Sequence, residues 1–278
     1  MNSTIHEFYI EAGKIAAKVR KEAVGRVKEG IPLLEVAEYI ENRIEELGAK
    51  PAFPCNISLN EVASHYTPED NAAHFKKGDV VKIDIGVHVE GYIADTAVTT
   101  EVGTDNHGSL IESCEEALEK AIAAVKDQAQ TGAIGSIIEE TIKKHGFNPV
   151  KDLTGHSLER YKLHGGITIP NCRSLFSQKI KKDMVFAIEP FATYGRGSIK
   201  HGKPHIFAIT SAKGQEASQI MERFGTLPFT GRWVPGINIR ELKGVREYFE
   251  LIEAGGEIVA QAEHTVIVNA RGCEVITG

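Results

Sequence analysis

The sequence predicts a mixed α/β (α+β) fold of two pseudo-symmetric αβ halves, with a helical insert late in the chain. Three observations lead there. Apolar residues recur at helical spacing in two pairs of helices, one at the N-terminus and one after Gly103. Each pair is followed by a loop containing proline. A strand then opens on two lysines and carries an acid near its end, KKGDVVKIDIG at 76–86 and KKDMVFAIEPF at 181–191. Between 210 and 256 the pattern changes: GQEASQIMERFG and NIRELKGVREYFELIEAGG read as helices around the turn-rich GTLPFTGRWVPG. The predicted division is a main domain over 1–209 and 257–278, and a helical insert subdomain over 210–256.

The elements follow in order. Thr4 and Glu7 have capping-box spacing, and Ile5, Phe8, Ala12, Ile15, Val19, Ala23 and Val27 continue at helical period. A second helix starts at about Pro32, with Leu33, Val36, Ala37, Ile40, Ile44 and Leu47 apolar, and stops at Gly48. Val80 to Val89 then alternates with period two, Glu90-Gly91 marks a reversal, and Tyr92 to Thr99 returns as a hairpin. The third helix is apolar at Leu110, Cys114, Ala117, Leu118 and Ala121; the fourth at Ile134, Ile138 and Ile142, ending at Gly146. The final strands lie in GEIVAQAEHTVIVNARGCEVITG. If the two halves are a duplication, Asp84 and Glu189 occupy corresponding strand ends and face one cleft.

Composition narrows the function classes. The chain has 278 residues, 42% hydrophobic and 25% charged, enough for a large core. A net charge of −6 and the lack of any Lys/Arg run argue against direct nucleic-acid binding. Cys55, Cys114, Cys172 and Cys273 are scattered with no CxxC pair, which suits a reducing cytosol better than a disulfide framework. Neither a signal-peptide pattern nor a membrane-length apolar run occurs, so a cytoplasmic location with no membrane association is expected.

The chemistry sits in acids placed where strands should be buried. Asp84 and Asp95 fall on the hairpin, and an even loop would put both on one face. Two like charges there destabilise each other unless one binds a proton or a cation separates them; two solvated acids would be the plain alternative. His156 in LTGHSLERYKLHGG, Glu189 in VFAIEPF and Glu263 in IVAQAEHTVIV stand at similar positions. Singly, His156 reads as a core or loop histidine and Glu263 as a strand-face acid. Jointly, four carboxylates and one imidazole form an oxygen-rich set able to hold two divalent ions.

The ordered set DIG…D, GH, EP and EHT resembles the ligands of the pita-bread metallopeptidases. FPCNISLNEVASHYTP, GHSLERYKLHGG and QAEHTVIV resemble type II methionine aminopeptidases of archaeal type, over nearly the whole chain. The resemblance implies a pita-bread fold around a dinuclear site, a type II insert, and removal of N-terminal methionine from nascent chains. It implies that Asp84 binds one metal, His156 and Glu189 the other, and that Asp95 and Glu263 bridge them. It makes His65 and His164 catalytic-site histidines, with Glu189 as general base, His164 as donor to the oxyanion and His65 as donor to the scissile amide. Phe53, Leu163 and Phe191 match the methionine pocket.

Cobalt, manganese, iron or zinc would all suit this ligand set. The implied partners are peptides with N-terminal methionine, together with a transient ribosome contact, and the implied state is a monomer. His6, His74, His88, His107, His145 and His201 match no functional position and are expected in solvent, while His205 in KPHIF aligns with a pocket histidine only loosely. The 74 residues from Glu189 to Glu263 are fewer than type II enzymes carry, which leaves the outer cleft wall open. Two rivals remain: a prolidase or proline aminopeptidase with the same ligands, and a non-catalytic binding protein of this fold.

Overall fold

A computed structural model describes residues Met1–Gly278, and its first helix, α1 (Ser3–Val24), starts earlier than the Thr4–Glu7 box implies. Asn2 is the cap, accepting a hydrogen bond from the Ile5 amide at 2.9 Å. Helix α2 (Leu33–Glu46) buries the predicted face, Leu33, Val36, Ala37, Ile40 and Ile44, against α1 and the first sheet. Helices α3 (Gly108–Ala124) and α4 (Thr131–Lys144) do the same for the second sheet, through Cys114, Ala117, Ile134 and Ile138.

The two halves repeat the same spacing of elements. Helices α2 and α4 are each 14 residues long and begin at 33 and 131. The strands that follow begin at 50 and 148, and the next at 56 and 154, so the intervals are the same in both halves. Only then does a longer connection in the second half break the match, before the strands beginning at 80 and 185.

In the first half, Val80–Val89 pairs antiparallel with Lys50–Pro51, Asn56–Leu59 and Tyr92–Glu101. In the second, a five-stranded sheet runs Cys273–Val275, His264–Val268, Val185–Ile188, Thr154–Leu158, Thr168–Pro170. The halves meet where Tyr92–Glu101 lies against His264–Val268. There the buried Thr265 hydroxyl donates to the Asp95 carbonyl at 2.7 Å and accepts from the Asp95 amide at 2.8 Å.

The late segment departs from expectation. Helix α5 (Gln215–Phe224) forms, but the second helix expected in NIRELKGVREYFELIEAGG does not. That stretch is a short 3-10 turn, Ile239–Glu241, followed by the strand Lys243–Glu253. The strand pairs with Ile199–Lys213 and, at its far end, with Val62–Ser64. Val245, Tyr248, Phe249, Leu251 and Ile252 favour strands, and apolar spacing alone does not separate short strands from helices. Segment 210–256 is therefore one helix with short turns and strands of a four-stranded antiparallel sheet, ordered Phe229–Thr230, Ile199–Lys213, Lys243–Glu253, Val62–Ser64, and not a helical subdomain. No helix is long and apolar enough to cross a membrane, and all four cysteines are free.

Candidate metal centre

The hairpin turns on Glu90 and Gly91, both with left-handed backbone (φ 52° and 85°), the pattern of a two-residue turn that matches strand twist. The resulting register pairs Asp84 with Ala97 and Gly86 with Asp95. Asp84 and Asp95 are thus diagonal neighbours on one face, and both are buried. Gly86 stands between them because nothing larger fits: a Cβ there would lie 2.2 Å from the Phe53 ring.

The second half brings its ligands from the other side. His156 lies on Thr154–Leu158, opposite Ala187, while Glu189 follows Val185–Ile188 and Glu263 precedes His264–Val268. Asp95, His156 and Glu263 offer donor atoms within 4.8 Å of one another. The His156 Nε2 lies 3.4 Å from Glu189 Oε1 and 3.8 Å from Asp95 Oδ2. One cavity is bordered by all five of these residues and by His65 and His164.

Electrostatics make this cluster costly as it stands. Burial pushes the Asp84 carboxyl up to about 6, although hydrogen bonds from Asn56 and others work against the rise. Burial and then the neighbouring carboxylates hold Asp95, Glu189 and Glu263 well above the usual range. Arg20 of α1 opposes this at Glu263, but its guanidinium is engaged by Thr96 and His264. Burial, then His164, lowers His156 to about 3, so its imidazole is neutral and able to ligate. Asp84 Oδ1, Asp95 Oδ1 and Glu263 Oε2 are buried without a hydrogen-bond partner. Unpaired lone pairs and clustered negative charge at one point fit divalent cations.

Around the cavity, His65 Nδ1 lies 3.2 Å from the Phe249 carbonyl. A carbonyl only accepts, so Nδ1 carries the proton and Nε2 of the neutral ring is an acceptor. Burial, then His164, lowers His65 to about 4, and burial lowers His164 as well. The His164 ring lies 4.4 Å from that of His156, and Tyr248 lies 6.1 Å from His164 and 5.6 Å from His65.

Phe53 and Leu163 line the cavity, joined by Ile206 and Pro228. Phe191 does not: it packs with Ala63, Val150, Leu153 and Val259 in a separate core. The strands on either side of Pro190 belong to different sheets, so Phe191, expected in the methionine pocket from the resemblance, is carried into that other core although Glu189 two residues earlier faces the cavity. His205 is held between Glu69 (3.1 Å) and Glu250 (2.9 Å), off the cavity lining. His88, expected in solvent, is buried and accepts from the Gly91 amide at 3.1 Å.

Three residues escaped sequence reasoning. Asn56 faces Asp84 in register and donates to Oδ2 at 3.2 Å; Gln261 donates to Glu189 Oε2 at 3.5 Å. The alternation of Gln261, Glu263 and Thr265 was a usable signal for Gln261. Tyr248 was hidden by the helical reading of its strand.

Comparison with known proteins agrees with this geometry. The model of metallopeptidase family M24 matches residues 7–270. A methionine aminopeptidase of Pyrococcus horikoshii is 46% identical over 289 residues, spanning 96% of this chain and 98% of the relative. One from Methanothermobacter thermautotrophicus is 42% identical, spanning 98% of each. Among solved structures, the methionine aminopeptidase of Thermotoga maritima superimposes with a TM-score of 0.79 at 26% identity, covering 100% of this chain and 98% of that one. The mixed α/β pita-bread architecture expected from the sequence is met in these matches. The chain belongs to metallopeptidase family M24, among its archaeal methionine aminopeptidases.

Proposed function

We infer that the protein is a methionyl aminopeptidase, a metal-dependent hydrolase that removes methionine from the free N-terminus of peptides and nascent chains. The observation that carries this is the set of buried carboxylates with unpaired oxygens beside the apolar Phe53–Leu163 wall. Two divalent ions are proposed: Asp84 on one, His156 and Glu189 on the other, Asp95 and Glu263 shared. When bound, they would supply a water acidic enough to ionise near neutral pH and a Lewis acid for the scissile carbonyl.

The chain's own groups do the rest. Glu189 takes the proton of the attacking water and delivers it to the leaving amine. His164 donates to the developing oxyanion. His65, with Nδ1 committed to Phe249, accepts the scissile N–H through Nε2 and does not donate to it. Phe53 and Leu163 receive the methionine side chain. Segment 210–256 supplies the outer wall through Pro228 and Tyr248 and serves as this enzyme's version of the type II insert. A cytoplasmic monomer with transient access to the ribosome suits substrates that are nascent chains.

End-to-end similarity to methionine aminopeptidases favours this reading over a proline-specific one. The test compares release from Met-Ala-Ser, acetyl-Met-Ala-Ser and Ala-Pro-Ser by stripped protein reloaded with each of cobalt, manganese, iron and zinc. Release of methionine from the first peptide only, and none from stripped protein, is expected. Faster cleavage of Ala-Pro-Ser would reassign the enzyme to proline substrates. Full activity in verified absence of metal would overturn the metallopeptidase mechanism.

A further inference from the structure

We propose that Arg232, through its ion pair with Glu41, is a positioning residue that fixes the walls of the methionine pocket. The inference rests on the aminopeptidase reading above. Glu41 projects from α2 and is only 7% exposed, yet its carboxylate is fully engaged. Arg232 Nη1 donates to Oε2 at 3.0 Å and Nη2 to Oε1 at 2.9 Å, a bidentate pair. Trp233 Nε1 donates to Oε2 at 2.9 Å, and the Cys55 amide to Oε1 at 3.2 Å. Arg232 Nη2 also donates to Thr67 Oγ1 at 3.1 Å.

These partners belong to three separate pieces of cavity wall. Cys55 sits between Phe53 and Asn56, which both line the cavity. Thr67 follows His65, whose left-handed backbone (φ 65°) needs outside support to persist. Arg232 and Trp233 follow Pro228, which also lines the cavity. One ion pair therefore holds the 53–56 loop, the 65–67 loop and the 228–233 turn at fixed separation. A buried pair of this kind adds little net stability over a well-packed apolar pair, so its distinctive effect is geometric. None of the five proposed metal ligands bonds to it.

The experiment uses Arg232→Met and the double variant Glu41→Met/Arg232→Met, in which apolar side chains replace the pair and remove the lone buried charge. Both are expected to raise KM for Met-Ala-Ser about tenfold, to lower the methionine-over-leucine preference severalfold, and to change kcat less than roughly threefold. Amide hydrogen exchange over 53–56 and 65–67 should rise in both, with exchange in α4 unchanged. A double variant that is stable and keeps wild-type KM and preference would overturn the proposal, as would wild-type exchange in both loops. If the wild-type protein itself released no methionine, the activity assignment would fall, and the exchange measurement would still decide the positioning role.

Discussion

Gly86 shows how much one missing side chain can decide. Strand alternation places it between Asp84 and Asp95, and the Phe53 ring occupies the volume a Cβ would take. Gly86→Ala must push that ring from the cavity wall, at roughly 1–3 kcal/mol for overpacking. Steady-state kinetics should show a raised KM for Met-Ala-Ser with little change in metal affinity; an unchanged KM would mean the ring moves elsewhere without consequence. His88 carries a different expectation. Burial, then Lys50, lowers it to about 4, and its Nδ1 accepts from Gly91 at the hairpin turn, which a protonated ring cannot do. The folded-state value lies below the unfolded one, near 6.5, so this contribution is complete above about pH 6.5 and is lost as pH falls toward 4. Its size is about 3 kcal/mol at most. In thermal melts from pH 7 to 4, wild type should lose more stability on acidification than His88→Gln, because glutamine stays neutral; parallel curves would remove His88 as the cause.

Among elements, the join between halves depends on Thr265. Its hydroxyl serves both backbone groups of Asp95, as the Thr99 hydroxyl serves both backbone groups of Gln261 further along the same join. Thr265→Val keeps the shape and leaves a buried amide and carbonyl without that partner, which should cost about 1–3 kcal/mol in urea unfolding. It should also weaken metal binding measured by calorimetry, since Asp95 loses its anchor. A variant with wild-type stability and affinity would show that the sheets are held otherwise. Local patterns made much of this level legible: the Glu90-Gly91 reversal, the shared face of Asp84 and Asp95, and the apolar faces of α1 to α4 all follow from neighbouring residues. The strand Lys243–Glu253 was not legible. Its apolar residues fit either period, and its partner Ile199–Lys213 lies across the whole α5 excursion, so pairing decided what propensity left open. Phe191 and the Glu41–Arg232 pair were obscure for the same reason, because a sheet boundary and a contact 191 positions apart leave no local trace.

For the whole molecule, the site is a product of docking. Asp84 and Asp95 come from the first half; His156, Glu189 and Glu263 come from the second. Cations that bind only the assembled cage must stabilise the fold by linkage, so adding manganese to stripped protein should raise Tm in a concentration-dependent way. A Tm independent of metal would contradict a preformed cage. The order of the chain adds a consequence in time. Glu263 immediately precedes the strand His264–Val268, Thr277 Oγ1 holds the Thr265 amide at 3.0 Å, and Ile276 packs against Gly13 in α1. While the polypeptide is being made, its N-terminal half waits with two aspartates facing no partner. Because Glu263 is the last of the proposed ligands to be made, the proposed five-residue cage can close only once synthesis has passed that residue, and the two aspartates made first are the ones that wait longest for their partners.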